Sequence, residues 1–211
     1  MSAPADRTPD AAAWDERYGA SDRIWSGQAN GALVAEVADL APGRALDVGC
    51  GEGADAVWLA RRGWRVTALD VSRVALDRAA QHARDADVEV TWCHAGLVEA
   101  DLLPGSFDLV SAQYPVLLKT PQAVAERWLA ALVAPGGTLL VVHHDLDASP
   151  AQQHEGGPDP ALHATPADVA AVLDDAWEVQ VHERRPRTVT GGAGAHHVAD
   201  LVVRARRLSG G

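Results

Sequence analysis

Lysine is almost missing from this 211-residue chain: Lys119 stands alone among 18 basic residues, which face 29 acidic ones. The formal charge of −11 argues against nonspecific nucleic-acid binding, which depends on Lys and Arg neutralising phosphates. Cysteine is scarce too. Cys50 and Cys93 share no paired or metal-like spacing, which excludes a disulfide scaffold and a zinc ribbon. No run of about 18 apolar residues occurs, so no membrane span is expected. The stretch Met1 to Arg7 lacks the apolar core of a secretory signal. A cytoplasmic, water-soluble protein is the expectation. The 47% hydrophobic and 22% charged fractions suit one globular domain with a sizeable core.

What is present is an alternation. Residues 1–10 are rich in Pro, Ala and Asp and are expected to lack packed structure. Strand-like runs follow at Arg44–Val48, Arg65–Leu69, Val88–Trp92, Phe107–Ala112 and Thr138–His143, with helical patterns between them. Such βα alternation implies a parallel sheet. Thr120-Pro121 predicts the start of a helix that stops at Pro135-Gly136-Gly137, and Thr165-Pro166 with Asp168 predicts a second capped start. A polar loop spans 145–160. Beyond it, Trp177–Glu183 alternates apolar and polar residues, as an edge strand does, and Asp200–Ala205 reads as its partner.

The chemistry concentrates in Ala45-Leu46-Asp47-Val48-Gly49-Cys50-Gly51-Glu52-Gly53-Ala54, between a buried strand and a helix. Glycines there let the chain turn sharply and let a ligand lie against main chain. Gly49, Gly51 and Ala54 also satisfy the dinucleotide pattern G-x-G-x-x-A, so the loop alone leaves a nicotinamide cofactor open. Asp47 separates the readings. A carboxylate two residues before the first glycine repels a pyrophosphate and attracts a ligand bearing an ammonium and a sulfonium. Asp70 ends the second strand 21 residues after Gly49, where an acid can accept ribose hydroxyls; its bland alternative is a cap for the helix beginning near Ser72.

These residues, with Phe107-Asp108-Leu109-Val110-Ser111-Ala112-Gln113 and Leu132-Val133-Ala134-Pro135-Gly136-Gly137-Thr138-Leu139, resemble the class I S-adenosylmethionine-dependent methyltransferases. The resemblance covers Gly43 to His144, and the rest only by general layout. It implies a Rossmann-like α/β fold: a seven-stranded sheet, mostly parallel with the last strand antiparallel, and helices on both faces. Residues 1–40 would form an N-terminal cofactor-covering segment and 41–208 the methyltransferase domain. The start, Trp14-Asp15-Glu16-Arg17-Tyr18 and Trp25-Ser26-Gly27, is similar to the small-molecule branch, the thiopurine and tellurite-resistance methyltransferases.

By that resemblance S-adenosyl-L-methionine is the cofactor. Gly49, Cys50, Gly51 and Gly53 would lie along it, Asp47 would hold its ammonium and Asp70 its ribose. Val71 would flank the adenine, Leu97, Ala112 and Gln113 would offer backbone near it, and Trp25 and Tyr18 would cover the methionine end. Gly96 stands where the family often places an acid for the adenine amine; Glu99 or Asp101 is the alternative.

Residues at the carboxyl ends of strands face the crevice of an open α/β sheet. That rule makes Tyr114, His143 and His144 the candidates for the acceptor site. A histidine base serves an alcohol, phenol or amine, whereas a thiolate needs none. Adjacent histidines on a strand point to opposite faces, so neither His143-His144 nor His196-His197 is a chelating pair, and no metal is expected. The expected function is methyl transfer to a small molecule, with a thiol, a selenium or tellurium species or an aromatic xenobiotic favoured, and no nucleic-acid or membrane partner. An NAD-dependent oxidoreductase and a non-catalytic S-adenosylmethionine sensor remain as alternatives.

Overall fold

The computed structural model describes residues 11–145, 162–187 and 197–210. The expectations for residues 1–10, for the polar loop beyond Asp145, and for His154 and His196 fall outside them. Thirteen elements follow in order. The chain opens with α1 (Ala11–Gly19) and α2 (Gly31–Val37), then β1 (Arg44–Val48), α3 (Ala54–Arg61), β2 (Arg65–Asp70), α4 (Arg73–Asp85) and β3 (Thr91–His94). Next come β4 (Phe107–Gln113), α5 (Val124–Leu132), β5 (Val133–His144), α6 (Pro166–Ala171), β6 (Trp177–Pro186) and β7 (Ala199–Arg207).

The strands form one sheet in the order β3-β2-β1-β4-β5-β7-β6. Neighbours from β3 to β5 are parallel, while β7 runs antiparallel to both β5 and β6. The order reverses between β1 and β4, and that switch point opens a crevice at the carboxyl ends of the strands.

Sequence pattern explains the layers. The central strands β4 and β5 are apolar at nearly every position because both their faces are covered. On one face Leu46, Val48, Val110, Leu139 and Val141 pack against Leu129 and Leu132 of α5 and Val169 of α6. On the other, Ala45, Leu109, Leu140 and Val142 meet Leu33 and Val37 of α2 and Ala56 and Leu59 of α3. Each fully buried leucine contributes about 1.5–3 kcal/mol of transfer free energy. The strand β6 is largely exposed and polar, as its alternating sequence predicts.

Among the boundaries that differ from the sequence expectation, three have a clear local reason. The third strand starts at Thr91 rather than Val88, because the Val88 N–H is used to close α4, donating to Ala83 O while Asp87 takes φ 54°. The helix expected from Pro121 begins at Val124, and Thr120 Oγ1 accepts the Val124 N–H instead of capping a turn earlier. That helix also ends at Leu132, before Pro135-Gly136-Gly137, which lies inside β5 where the register against β4 shifts between Phe107 and Leu109. A Cβ at Gly137 would stand 3.0 Å from the carbonyls of Ala134 and Asp108. The second capped start is as read: Thr165 and Asp168 form a complete capping box on α6.

Candidate active site

The loop between β1 and α3 is built by three left-handed glycines, Gly49, Gly51 and Gly53, at φ 69°, 52° and 79°. Their reasons differ. A Cβ at Gly53 would collide with Ala79 of α4, so that glycine serves helix packing. At Gly49 a Cβ would meet nothing within 4 Å, so its surface borders open space. Asp70 ties the loop to β2: its Oδ2 accepts the Gly51 N–H at 2.9 Å and its Oδ1 the Ser72 N–H at 2.8 Å. The helix cap is Ser72 itself, whose Oγ accepts from Ala75 N. Asp70 is therefore no N-cap; it accepts from the backbone of Gly51, Val71 and Ser72, which leaves one of a carboxylate's four lone-pair sites for a further donor.

Asp47 is the electrostatic centre. It is buried, and the backbone N–H of Ala56 holds it, but its Oδ2 has no partner among the described residues. Burial, and then the charges of Asp55 and Asp70, push its carboxyl well above the usual carboxylate range. Burial likewise raises Asp55, Asp70 and the Cys50 thiol. A buried carboxylate with an empty oxygen beside two more acids is costly unless a cation or a donor completes it. The donor set suits the ammonium and sulfonium of S-adenosylmethionine and opposes a pyrophosphate. Bound there, that cofactor supplies an electrophilic methyl group.

The segment before β1 lies over this loop. Arg78 of α4 donates to the carbonyls of Tyr18 (2.8 Å) and Ser21 (2.6 Å) and pairs with Glu52 at 2.9 Å. Glu52 also accepts the N–H groups of Ile24 and Trp25. Asn30 donates through N and Nδ2 to the two oxygens of Asp55, each at 2.7 Å. Asp15 accepts from the Ser72 hydroxyl and the Val74 N–H at the start of α4. Trp25 Nε1 donates to the Tyr18 hydroxyl, and the pair bounds the loop so closely that a Cβ on Gly51 would stand 2.9 Å from that hydroxyl.

Across the crevice, Val71 is half-buried and its carbonyl lies 2.9 Å from His94 Nε2. Leu97 is buried behind Gly96, Glu99 and Asp101 are exposed, and Ala112 and Gln113 are buried at the end of β4.

A second polar cluster forms where β4, β5 and β7 end. Tyr114 leaves β4 with φ 54°, an unusual value for a tyrosine, fixed by its N–H donating to Val142 O. Its hydroxyl donates to Asp200 Oδ2 at 2.9 Å and accepts from Arg187 Nε at 3.2 Å. His144 faces Asp200 in the β5–β7 register, with Nδ1 3.3 Å from Asp200 Oδ1. Its ring is stacked between Tyr114 (4.1 Å) and His197 (3.8 Å). Strand alternation predicts opposite faces for His143 and His144, yet their rings lie 6.1 Å apart at the strand end. Burial lowers both imidazoles, His144 to about 4, and so favours their neutral forms.

The sequence reading missed Asp15, Glu52, Asp55, Arg78, Arg187 and Asp200. Asp200 carried one usable signal, an acid just before the apolar run Leu201-Val202-Val203 of its strand. The others act through contacts between residues distant in the chain, such as Arg78 with Tyr18, 60 positions apart.

Comparison with known proteins places these observations. The family model described as Methyltransferase domain matches residues 45–137. An uncharacterized methyltransferase of Mycobacterium tuberculosis is 37% identical over 122 residues, 57% of this chain and 61% of that protein. The ubiquinone biosynthesis O-methyltransferase of Alkalilimnicola ehrlichii is 40% identical over 98 residues, 46% of this chain and 40% of that one. Such matches span less than two thirds of the relatives' length. Among solved structures, one described as "Conversion of a Disulfide Bond into a Thioacetal Group during Echinomycin Biosynthesis" superposes with a TM-score of 0.75 at 22% identity, covering 95% of this chain and 93% of the other. The N-methyltransferase NodS of Bradyrhizobium japonicum, in complex with S-adenosyl-L-homocysteine, gives 0.60 at 20% identity over 94% and 89%. The fold is that of the Rossmann-like methyltransferases. Residues 45–137, which hold the glycine loop, are similar to a methyltransferase domain.

Proposed function

We propose that this protein transfers the methyl group of S-adenosyl-L-methionine to a small-molecule acceptor. One observation carries the reading: the buried Asp47 Oδ2, without a hydrogen-bond partner among the described residues, at the end of the strand that runs into the glycine loop. In this reading Asp47 holds the ammonium and Asp70 the ribose. The loop from Gly49 to Gly53 lies along the methionine portion, with Trp25 over it, and Val71, Leu97, Ala112 and Gln113 surround the adenine. Residues 1–40 act as the covering segment and 41–208 as the methyltransferase domain, with α2 built into the sheet face. Methyl transfer asks the protein chiefly to align the acceptor with the methyl carbon and exclude water.

The acceptor enters between Tyr114, His143 and His144 and is a thiol, a selenium or tellurium species or an aromatic xenobiotic, as in the thiopurine and tellurite-resistance branch. The net charge of −11 gives a nucleic-acid substrate no basic surface to bind, and no described helix is long and apolar enough to cross a membrane. A cytoplasmic location belongs to the same reading. Calorimetric titration with S-adenosylmethionine and with NAD tests it, followed by turnover on a panel of thiols, phenols and amines. Micromolar binding of the first cofactor, no binding of NAD and methylation of one acceptor class are the expected results. NAD binding, or cofactor binding without turnover on any class, would refute it.

A further inference from the structure

The Tyr114–Asp200–Arg187–His144 cluster is more organised than strand termination requires. Asp200 accepts from Tyr114 Oη on Oδ2 and from His144 Nδ1 on Oδ1 at 3.3 Å, and Arg187 Nε, which donates to the Tyr114 hydroxyl, forms an ion pair with Oδ1 at 3.5 Å. The Arg187 and Asp200 side chains are each under a tenth exposed, so this network sits out of bulk water. Tyr114 adopts a strained left-handed backbone to reach it, and such strain persists where surrounding contacts over-determine it. Its place is also informative. Val48 pairs with Ala112 and Ala112 with Val141, so Tyr114 and His144 emerge just beyond the level of the glycine loop. They stand one and two strands away, about 5 and 10 Å sideways.

From this geometry we infer that Asp200 is the positioning residue of an Asp200–His144 pair that deprotonates an aromatic hydroxyl, which makes a phenol the acceptor class of the site. The inference rests on the methyl transfer proposed above. Asp200 fixes the imidazole tautomer: with the carboxylate on one side, Nδ1 carries the hydrogen and Nε2 carries the lone pair. Nε2 has no hydrogen-bond partner among the described residues. The groups facing this ring are Tyr114 from β4, His143 from β5, Asp200 from β7, Arg187 after β6, and His197. Two of them, Tyr114 and His197, stack on this ring, so an acceptor hydroxyl meets Nε2 at the ring's edge, in its plane.

The step balances within the site. His144 Nε2 takes the hydroxyl proton as the phenol oxygen bonds to the methyl carbon, and the carbon–sulfur bond breaks with both electrons left on sulfur. A sulfonium charge disappears as an imidazolium charge appears beside Asp200. The total charge of the crevice stays constant, which removes the main objection to a protonated histidine in a buried place.

The test compares 4-methylphenol, which is protonated at the assay pH, with 4-nitrothiophenol, which is ionised there and needs no base. Asp200→Asn should lower kcat/KM on the phenol by about 10²–10⁴-fold, the worth of a positioned general base, and the loss on the thiol should be at least tenfold smaller. Nitrogen-15 NMR of labelled wild-type protein should show His144 protonated at Nδ1, and Asp200→Asn should shift it to Nε2. Where that variant fails to fold, the wild-type tautomer and a His144→Gln variant carry the same comparison. Equal losses on both acceptors, no loss on the phenol, or wild-type His144 protonated at Nε2 would overturn the inference while leaving methyl transfer standing. Failure of the wild-type protein to bind S-adenosylmethionine would overturn both.

Discussion

Replacing Asp47 by Asn separates a binding role from a folding role in one measurement. The side chain keeps its size, so packing against α3 is conserved, but the charge goes. Without ligand, Asp47 is a buried acid beside Asp55 and Asp70, with one oxygen unpartnered among the described residues. Removing that charge should stabilise the free protein. Relief of about 1 kcal/mol corresponds to roughly 2–4 °C in Tm for a domain of this size. Affinity moves the other way. Loss of a hydrogen bond between the carboxylate and an ammonium costs about 1.5–3 kcal/mol, a 10- to 150-fold weaker Kd for S-adenosylmethionine. The pH dependence has a defined sign. The Asp47 carboxyl is raised in the folded state, so folding favours its protonated form, and the cost accrues as pH climbs from the ordinary carboxylate value through that raised one. The Tm gain should therefore be present on the alkaline side and vanish toward pH 4. Calorimetric titration and thermal unfolding across pH 4 to 8 supply both readings. A variant with lower Tm at pH 8, or with unchanged Kd, would show that Asp47 is a structural partner of α3 and not a ligand group.

Asp70→Ala should weaken S-adenosylmethionine binding about 10- to 150-fold and also lower Tm, because the N–H groups of Gly51 and Ser72 lose their acceptor; unchanged affinity would remove Asp70 from the site. Arg78→Ala should release the segment around Tyr18 and Ser21, read as a red-shifted tryptophan emission and faster proteolysis near residue 20 with β-sheet circular dichroism retained; unaltered emission would mean that the other anchors hold it unaided. Leu33→Ala, in the fully buried side of α2, should cost about 2–5 kcal/mol in urea unfolding, and a cost under 1 would place α2 outside the core. His144, held near 4 against its ordinary 6.5, favours the fold while neutral; as pH falls from 6.5 toward 4 the fold should lose up to about 3 kcal/mol. A His144→Gln variant should lack that part of the acid destabilisation, and an unchanged pH–stability curve would refute the shift.

The sheet was legible because its signals are local and redundant. Each central strand is a short apolar run bounded by turn residues, and the glycine loop needs left-handed φ values that nothing but glycine adopts cheaply. Asp47 and Asp70 were singled out by their distance from Gly49, and their roles toward a cofactor belong to the proposed function. Boundaries were less so. Val88 looks like a strand residue by type, but its N–H completes the end of α4 through Asp87 in a left-handed turn, and residue type does not announce that bond. Thr120-Pro121 has the composition of a helix start, yet the turn that follows moves the start to Val124. The least legible part is the Asp200 network. Its members come from four separated stretches of chain, and only the antiparallel return of β7 along β5 brings Asp200 opposite His144.

The same electrostatics that attracts a cationic ligand also holds the segment covering it. Four acids lie between Asp47 and Asp70 in or beside the loop. Glu52 is met by Arg78 and by the backbone of residues 24–25, and Asp55 by Asn30. Both of those therefore fasten the covering segment. Asp47 and Asp70 are left to the crevice, with Asp47 incompletely satisfied. Removing the cover would expose Glu52 and Asp55 to water and reduce the field that burial concentrates on Asp47, since charges interact more weakly as the surrounding dielectric rises. A cation bound at Asp47 would in turn lower the repulsion that Asp55 feels, and so strengthen the anchor at Asn30. Thermodynamic linkage requires these two effects to be equal in free energy. Closure of the segment from Asp15 to Asn30 and occupancy of the glycine loop are thus coupled through Asp55, a residue that touches the segment directly and reaches Asp47 only by charge.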